Sequence, residues 1–126
     1  MKKSCLLFID DDTYLLAAVE RNLRLKFNLV TAPGGEAGLA KMAANGPFAV
    51  VVADMQMPGM NGVQLLTEVR KRHPETVRLM LTGNADQHTA VEAVNQGHVF
   101  QFLTKPCPTE MLALALQAGL DRKSVV

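Results

Sequence analysis

The sequence contains no tryptophan, one tyrosine and two cysteines. Cys5 and Cys107 stand far apart, one in an apolar run and the other beside a proline, with neither zinc-ligand nor redox-motif spacing. Nothing here supports a disulfide framework, a zinc ribbon or thiol redox chemistry, and both read as reduced thiols of a cytosolic protein. Charge of one sign is also missing. Thirteen basic residues face 12 acidic ones for a formal net charge of +1, and no run of like charge exceeds three residues. That balance argues against nucleic acid or a membrane surface as a direct partner. The first apolar run ends at Ile9 against three aspartates, too short for a signal-peptide core or a membrane span. Export is not expected, and the expected location is cytoplasmic. His73, His88 and His98 lie in different segments without metal-ligand spacing, so surface or capping roles suit them best.

What is present is apolar residue enough for one core: 48% of 126 residues, which closes a single domain over 1–126 without staples. Short runs rich in branched residues alternate with longer segments of helical period. The strands read Ser4 to Ile9, Asn28 to Ala32, Ala49 to Ala53, Val77 to Leu81 and Val99 to Leu103. The helices read Thr13 to Lys26, Gly35 to Asn45, Gly62 to His73, Gln87 to Gln96 and Thr109 to Lys123. Asp12 suits the cap of the first helix, Gly46-Pro47 stops the second, and Pro74 and Gly97 close the third and fourth. This alternation predicts an α/β fold, a doubly wound five-stranded parallel sheet with five helices.

In such a sheet ligands bind beyond the carboxyl ends of the strands, where the chain order reverses. The first strand delivers Asp10-Asp11-Asp12 there, the third Asp54-Met55-Gln56-Met57-Pro58-Gly59, the fourth Thr82-Gly83 and the fifth Thr104-Lys105-Pro106. Three or four carboxylates, a hydroxyl and an ammonium therefore converge. Crowded carboxylates repel one another and need a cation or protons at neutral pH. A hard divalent ion such as Mg²⁺, which takes a few carboxylates, retained waters and a phosphate oxygen, meets that need. Thr82 and Lys105 then stand as donors to further phosphate oxygens, which suits phosphoryl transfer. Taken singly, Asp10 and Asp11 read equally well as caps or turn residues, and Lys105 as a solvated surface lysine. Their coincidence with Asp54 and Thr82 is what points to a site.

These residues and their order resemble the response regulator receiver family along almost the whole chain. The resemblance implies a flavodoxin-like strand order 2-1-3-4-5 and a phosphoacceptor switch of a two-component system. It implies Asp54 as the residue phosphorylated, by a sensor histidine kinase or a phosphotransfer protein, with Mg²⁺ or Mn²⁺ bound. Asp11 matches the direct metal ligand, Asp10 a contact made largely through water, Asp54 the acceptor, and the backbone carbonyl of Gln56 the remaining ligand. Thr82 matches the switch hydroxyl, Lys105 the phosphate-contacting lysine and Phe102 the aromatic that reorients on activation. A turnover enzyme is not implied.

The rival reading is a haloacid-dehalogenase-like phosphohydrolase with Asp10 as nucleophile. That family's spacing wants threonine or valine where Tyr14 stands, and it leaves Asp54 unexplained. A flavodoxin-like electron carrier would need a glycine- or hydroxyl-rich phosphate loop after the first strand, where aspartates stand instead. A degenerate receiver serving only as an interaction module is opposed by the complete residue set. On the last helix Glu110, Gln117 and Asp121 share one polar sector, while Leu112, Leu116 and Leu120 form one apolar edge and Met111, Leu114 and Ala118 another. A helix covering one sheet face needs a single stripe, so one edge is expected to stay partly exposed. The resemblance implies a homodimer or output contact there, through the fourth helix, fifth strand and fifth helix.

Overall fold

The computed structural model describes residues 5–96 and 99–124. Five strands, β1 (Cys5–Ile9), β2 (Asn28–Ala32), β3 (Val50–Asp54), β4 (Val77–Thr82) and β5 (Gln101–Thr104), form one sheet in the order β2-β1-β3-β4-β5. Every pairing is parallel. The helices are α1 (Thr13–Leu23), α2 (Gly35–Asn45), α3 (Gly62–Arg72), α4 (Gln87–Asn95) and α5 (Thr109–Ser124). The predicted α/β architecture and flavodoxin-like order are therefore both present.

Period-two alternation along the strands explains the layers. Leu6, Phe8, Val50, Val52, Leu79 and Leu81 point to one face, where Leu16, Val19 and Leu23 of α1 meet Leu112, Ala115 and Leu116 of α5. Leu7, Ile9, Val51, Ala53 and Met80 point to the other, under Met42 of α2, Leu65, Leu66 and Val69 of α3, and Ala90 and Ala93 of α4. A sheet buried on both faces needs continuous apolar strands, and β3 is buried at all of its positions.

The helix ends are set locally. Asp12 caps α1, its Oδ1 accepting from the amides of Tyr14 at 3.0 Å and Leu15 at 3.2 Å. Asn61 and Gln64 form a reciprocal capping box at α3. The amide of Gly46 closes α2 on the Met42 carbonyl, and the Gly46–Pro47 peptide that follows is cis.

Some bounds differ from the sequence reading. α1 stops at Leu23 rather than Lys26, because the amides of Lys26 and Phe27 both turn back to the Leu23 carbonyl and draw Phe27 into the core. β5 begins at Gln101 rather than Val99; Phe100 bonds to the Arg78 carbonyl just before the ladder starts. A 3-10 turn, Asn84–Asp86, precedes α4. Ser4 and Gly97, placed at the start of the first strand and the end of the fourth helix, lie outside the described residues. Among the described residues no helix is long and apolar enough to cross a membrane.

Candidate functional site

Chain order reverses between β1 and β3: from β1 the chain moves to β2 on one side, then returns to β3 on the other. The crevice beyond these two carboxyl ends is the switch point where such sheets bind ligands. β1 delivers Asp10 there and β3 ends in Asp54. Register makes the convergence exact in depth, since Ile9 is paired with Ala53, one residue short of both carboxylates.

The neighbouring strands lock the rest. The amide of Met55 donates to the Leu81 carbonyl at 2.8 Å, and that of Lys105 to the Thr82 carbonyl at 2.8 Å. The Lys105–Pro106 peptide is cis. The Lys105 side chain is aimed inward, and its Nζ lies 3.0 Å from Oδ2 of Asp10 and 3.1 Å from Oδ1 of Asp54. Asp10 is fully buried, and its second oxygen accepts from the Asp12 amide at 2.9 Å. Close approach of α3 completes the wall: a Cβ on Gly62 would lie 2.6 Å from the carbonyl oxygen of Asp54, so only glycine lets this helix start against the β3 end.

Carboxylate oxygens of Asp10, Asp11 and Asp54 all lie within 4.8 Å of one another, Asp11 being the exposed member. Three carboxylates around one ammonium leave two uncompensated negative charges when all are ionised. An all-oxygen donor set with that charge fits a hard divalent cation. Burial pushes the Asp54 carboxyl above the usual carboxylate range; Lys105 opposes the rise, and Asp10 and Asp11 add to it. For Lys105 burial acts downward, but its bonds to Asp10 and Asp54 outweigh that and hold the ammonium above the usual lysine range.

Thr82 is buried at the end of β4, its Oγ1 donating to the Gly83 carbonyl at 3.1 Å. Phe102 is half-buried on β5 and packs against the core cluster under α2, α3 and α4. Gln56 is exposed on the loop after β3, and its Nε2 donates to Oδ2 of Asp86 at 2.9 Å. The structure thus brings Asp10, Asp11, Asp54 and Lys105 into one cluster, with Thr82, Gln56 and Phe102 on the elements around it. Sequence reading missed the roles of Gly62 and Asp86. A glycine opening a helix three residues after another glycine hinted at the first, whereas a side-chain bond across 30 residues leaves no local signal.

This fold with this cluster defines a class, the signalling switches of two-component systems. Matching the response regulator receiver domain over residues 6–117, the chain belongs to that family. It is 32% identical over 118 residues to the hydrogenase transcriptional regulatory protein HoxA of Cupriavidus necator, covering 93% of this chain and 24% of that protein. Among solved structures it is similar to one described as adenylate cyclase from Rhodopirellula baltica, with 41% identity, a TM-score of 0.95 and coverage of 98% and 92% of the two chains. It is also similar to a response regulator receiver domain from Clostridium thermocellum, with 30% identity, a TM-score of 0.90 and coverage of 97% and 98%. The chain spans about a quarter of the length of the curated relatives it matches.

Proposed function

We propose that residues 1–126 form one receiver domain that accepts a phosphoryl group on Asp54 from a sensor histidine kinase or a phosphotransfer protein, in the cytoplasm, with Mg²⁺ or Mn²⁺ bound. The observation that carries this is the Lys105 ammonium bridging Asp10 and Asp54 at the switch point beside Asp11. A carboxylate oxygen of Asp54 forms the new P–O bond while the P–N bond to the donor histidine breaks, its electron pair staying on the imidazole nitrogen. Lys105, already within bonding distance of Asp54, is placed to donate to a phosphoryl oxygen. Thr82 leaves Gly83 to donate to another, and Phe102 follows into the vacated space. Asp10, Asp11, Asp54 and the Gln56 carbonyl would hold the ion, which supplies neutralisation of charge on the phosphoryl oxygens. Asp10 as a hydrolase nucleophile has less support, because both its oxygens are already engaged and it is fully buried.

Incubation with acetyl phosphate and Mg²⁺, followed by intact-mass measurement, is expected to add one phosphoryl group. Excess EDTA should suppress the labelling by at least about 100-fold, the scale of removing one electrostatic stabiliser from such a site. Undiminished labelling in EDTA would rule out the metal-dependent reading.

The partner reading has its own support. Met111 is 53% exposed and Leu114 68% on α5, and Val91 is 44% exposed on α4. A contact through α4, β5 and α5 would cover these side chains and adjoin Phe102. Beryllofluoride with Mg²⁺ is expected to strengthen self-association, and Leu114→Glu to weaken it while Asp54 phosphorylation persists. Sedimentation decides this; a monomer under every condition would defeat the dimer.

A further inference from the structure

Asp86 stands at the N-cap of α4, where an aspartate ordinarily accepts from the first free amides of the helix. Here the side chain makes no cap bond. Its Oδ2 accepts from Nε2 of Gln56 at 2.9 Å instead. Two loops leaving adjacent strands are thereby joined: the loop after β3, two residues beyond Asp54, and the segment that starts at Thr82 on β4.

That second segment is internally bonded through one atom. The hydroxyl of Thr82 and the amide of Asp86 both donate to the Gly83 carbonyl, each at 3.1 Å. Turning Thr82 toward a phosphoryl oxygen requires the first of these bonds to break. Asp86, hung from the same carbonyl, is meanwhile held to Gln56. Movement of Thr82 and Gly83 therefore pulls against the Gln56–Asp86 bond.

We propose that this bond is a clasp holding residues 82–86 in their unphosphorylated arrangement, and that Asp86 is through it a positioning residue for the acceptor site. The inference rests on reading Asp54 as phosphoacceptor and Thr82 as the responding hydroxyl. Opening the clasp releases the Asp86 carboxylate to cap α4, so a bond lost on one side is replaced on the other. Two discrete arrangements of nearly equal energy are what a small site needs to bias a larger element.

Beryllofluoride with Mg²⁺, titrated while amide resonances are followed by NMR, reads the balance directly. Gln56→Ala keeps the backbone carbonyl and removes the clasp, so half-saturation should fall by about threefold, the low end of what one solvent-exposed hydrogen bond contributes. In an Asp86→Ala background the same substitution should change nothing. In Asp86→Asn, which keeps an acceptor oxygen, its effect should return. An equal effect of Gln56→Ala in wild type and Asp86→Ala, or none in wild type, would overturn the clasp. If wild type itself fails to bind beryllofluoride, the phosphoacceptor reading fails and the clasp falls with it; normal wild-type binding confines failure to the clasp alone.

Discussion

Asp54→Asn is expected to lose phosphoryl transfer altogether and, without metal, to unfold at a higher temperature than the wild type. The first effect follows from chemistry: an amide oxygen cannot form the acyl phosphate, and removing a nucleophile elsewhere costs on the order of 10⁴-fold or more. The second follows from the electrostatics of the empty cluster. Burial, with Asp10 and Asp11 nearby, pushes the Asp54 carboxyl upward in the folded chain despite Lys105. Between its unfolded and folded values the native state holds more protons, so stability falls as pH rises through that interval and levels off above it. The ionised carboxylate is thus a net cost to the metal-free fold at neutral pH. Asparagine removes the cost and keeps an oxygen to accept from Lys105. Calorimetry in EDTA should show the advantage of Asp54→Asn growing as pH rises from the acid side, then staying constant. Adding Mg²⁺ should narrow it, because the ion binds the folded wild type through the carboxylate that the variant lacks. A variant less stable than wild type at neutral pH in EDTA would contradict this account, and retained labelling would remove Asp54 from the chemistry.

Much of this site was legible because its parts stand at strand ends. Apolar runs fix the strands, and whatever follows each run in a parallel sheet is delivered to the same edge. Asp10, Asp54, Thr82 and Lys105 were found in this way, and the register of β1 against β3 is what brings the two carboxylates level. Less legible were features that depend on three-dimensional approach. Gly62 reads only as the first residue of the third helix until the Asp54 carbonyl is found where a side chain would begin. Asp86 directly precedes the expected fourth helix, and its bond to Gln56 depends on how two loops meet. The end of α1 is illegible in the sequence for a related reason: Arg24, Leu25 and Lys26 all suit a helix, but burial of Phe27 decides where the helix stops. On α5 the expected division held, with Leu112 and Leu116 buried and Met111 and Leu114 exposed.

Lys105→Met is expected to separate the two sources of positive charge at the site. Its ammonium is the one cation bonded to both Asp10 and Asp54 among the described residues, and it touches each within 3.1 Å. Methionine keeps much of the stem packing and removes the charge. Phosphorylation by acetyl phosphate should fall by about 10²- to 10³-fold, the usual cost of losing one fixed donor to developing charge. Divalent-ion affinity should not fall with it. Lys105 repels a cation bound by Asp10, Asp11 and Asp54, so its removal is expected to leave Mg²⁺ binding equal or tighter by calorimetric titration. Stability should respond in the opposite sense to Asp54→Asn: without Lys105 the buried carboxylates face one another uncompensated, and the metal-free variant should unfold at a lower temperature than wild type at neutral pH. Acidification should close that gap by protonating the carboxylates, and Mg²⁺ should close it at neutral pH by binding them. Lys105→Arg should recover stability more than phosphorylation, because a planar guanidinium retains the charge but not the single-atom bridge between the two aspartates. Loss of Mg²⁺ affinity in Lys105→Met together with loss of labelling would mean that the lysine organises the metal site rather than the phosphoryl group, and its assigned role would have to change.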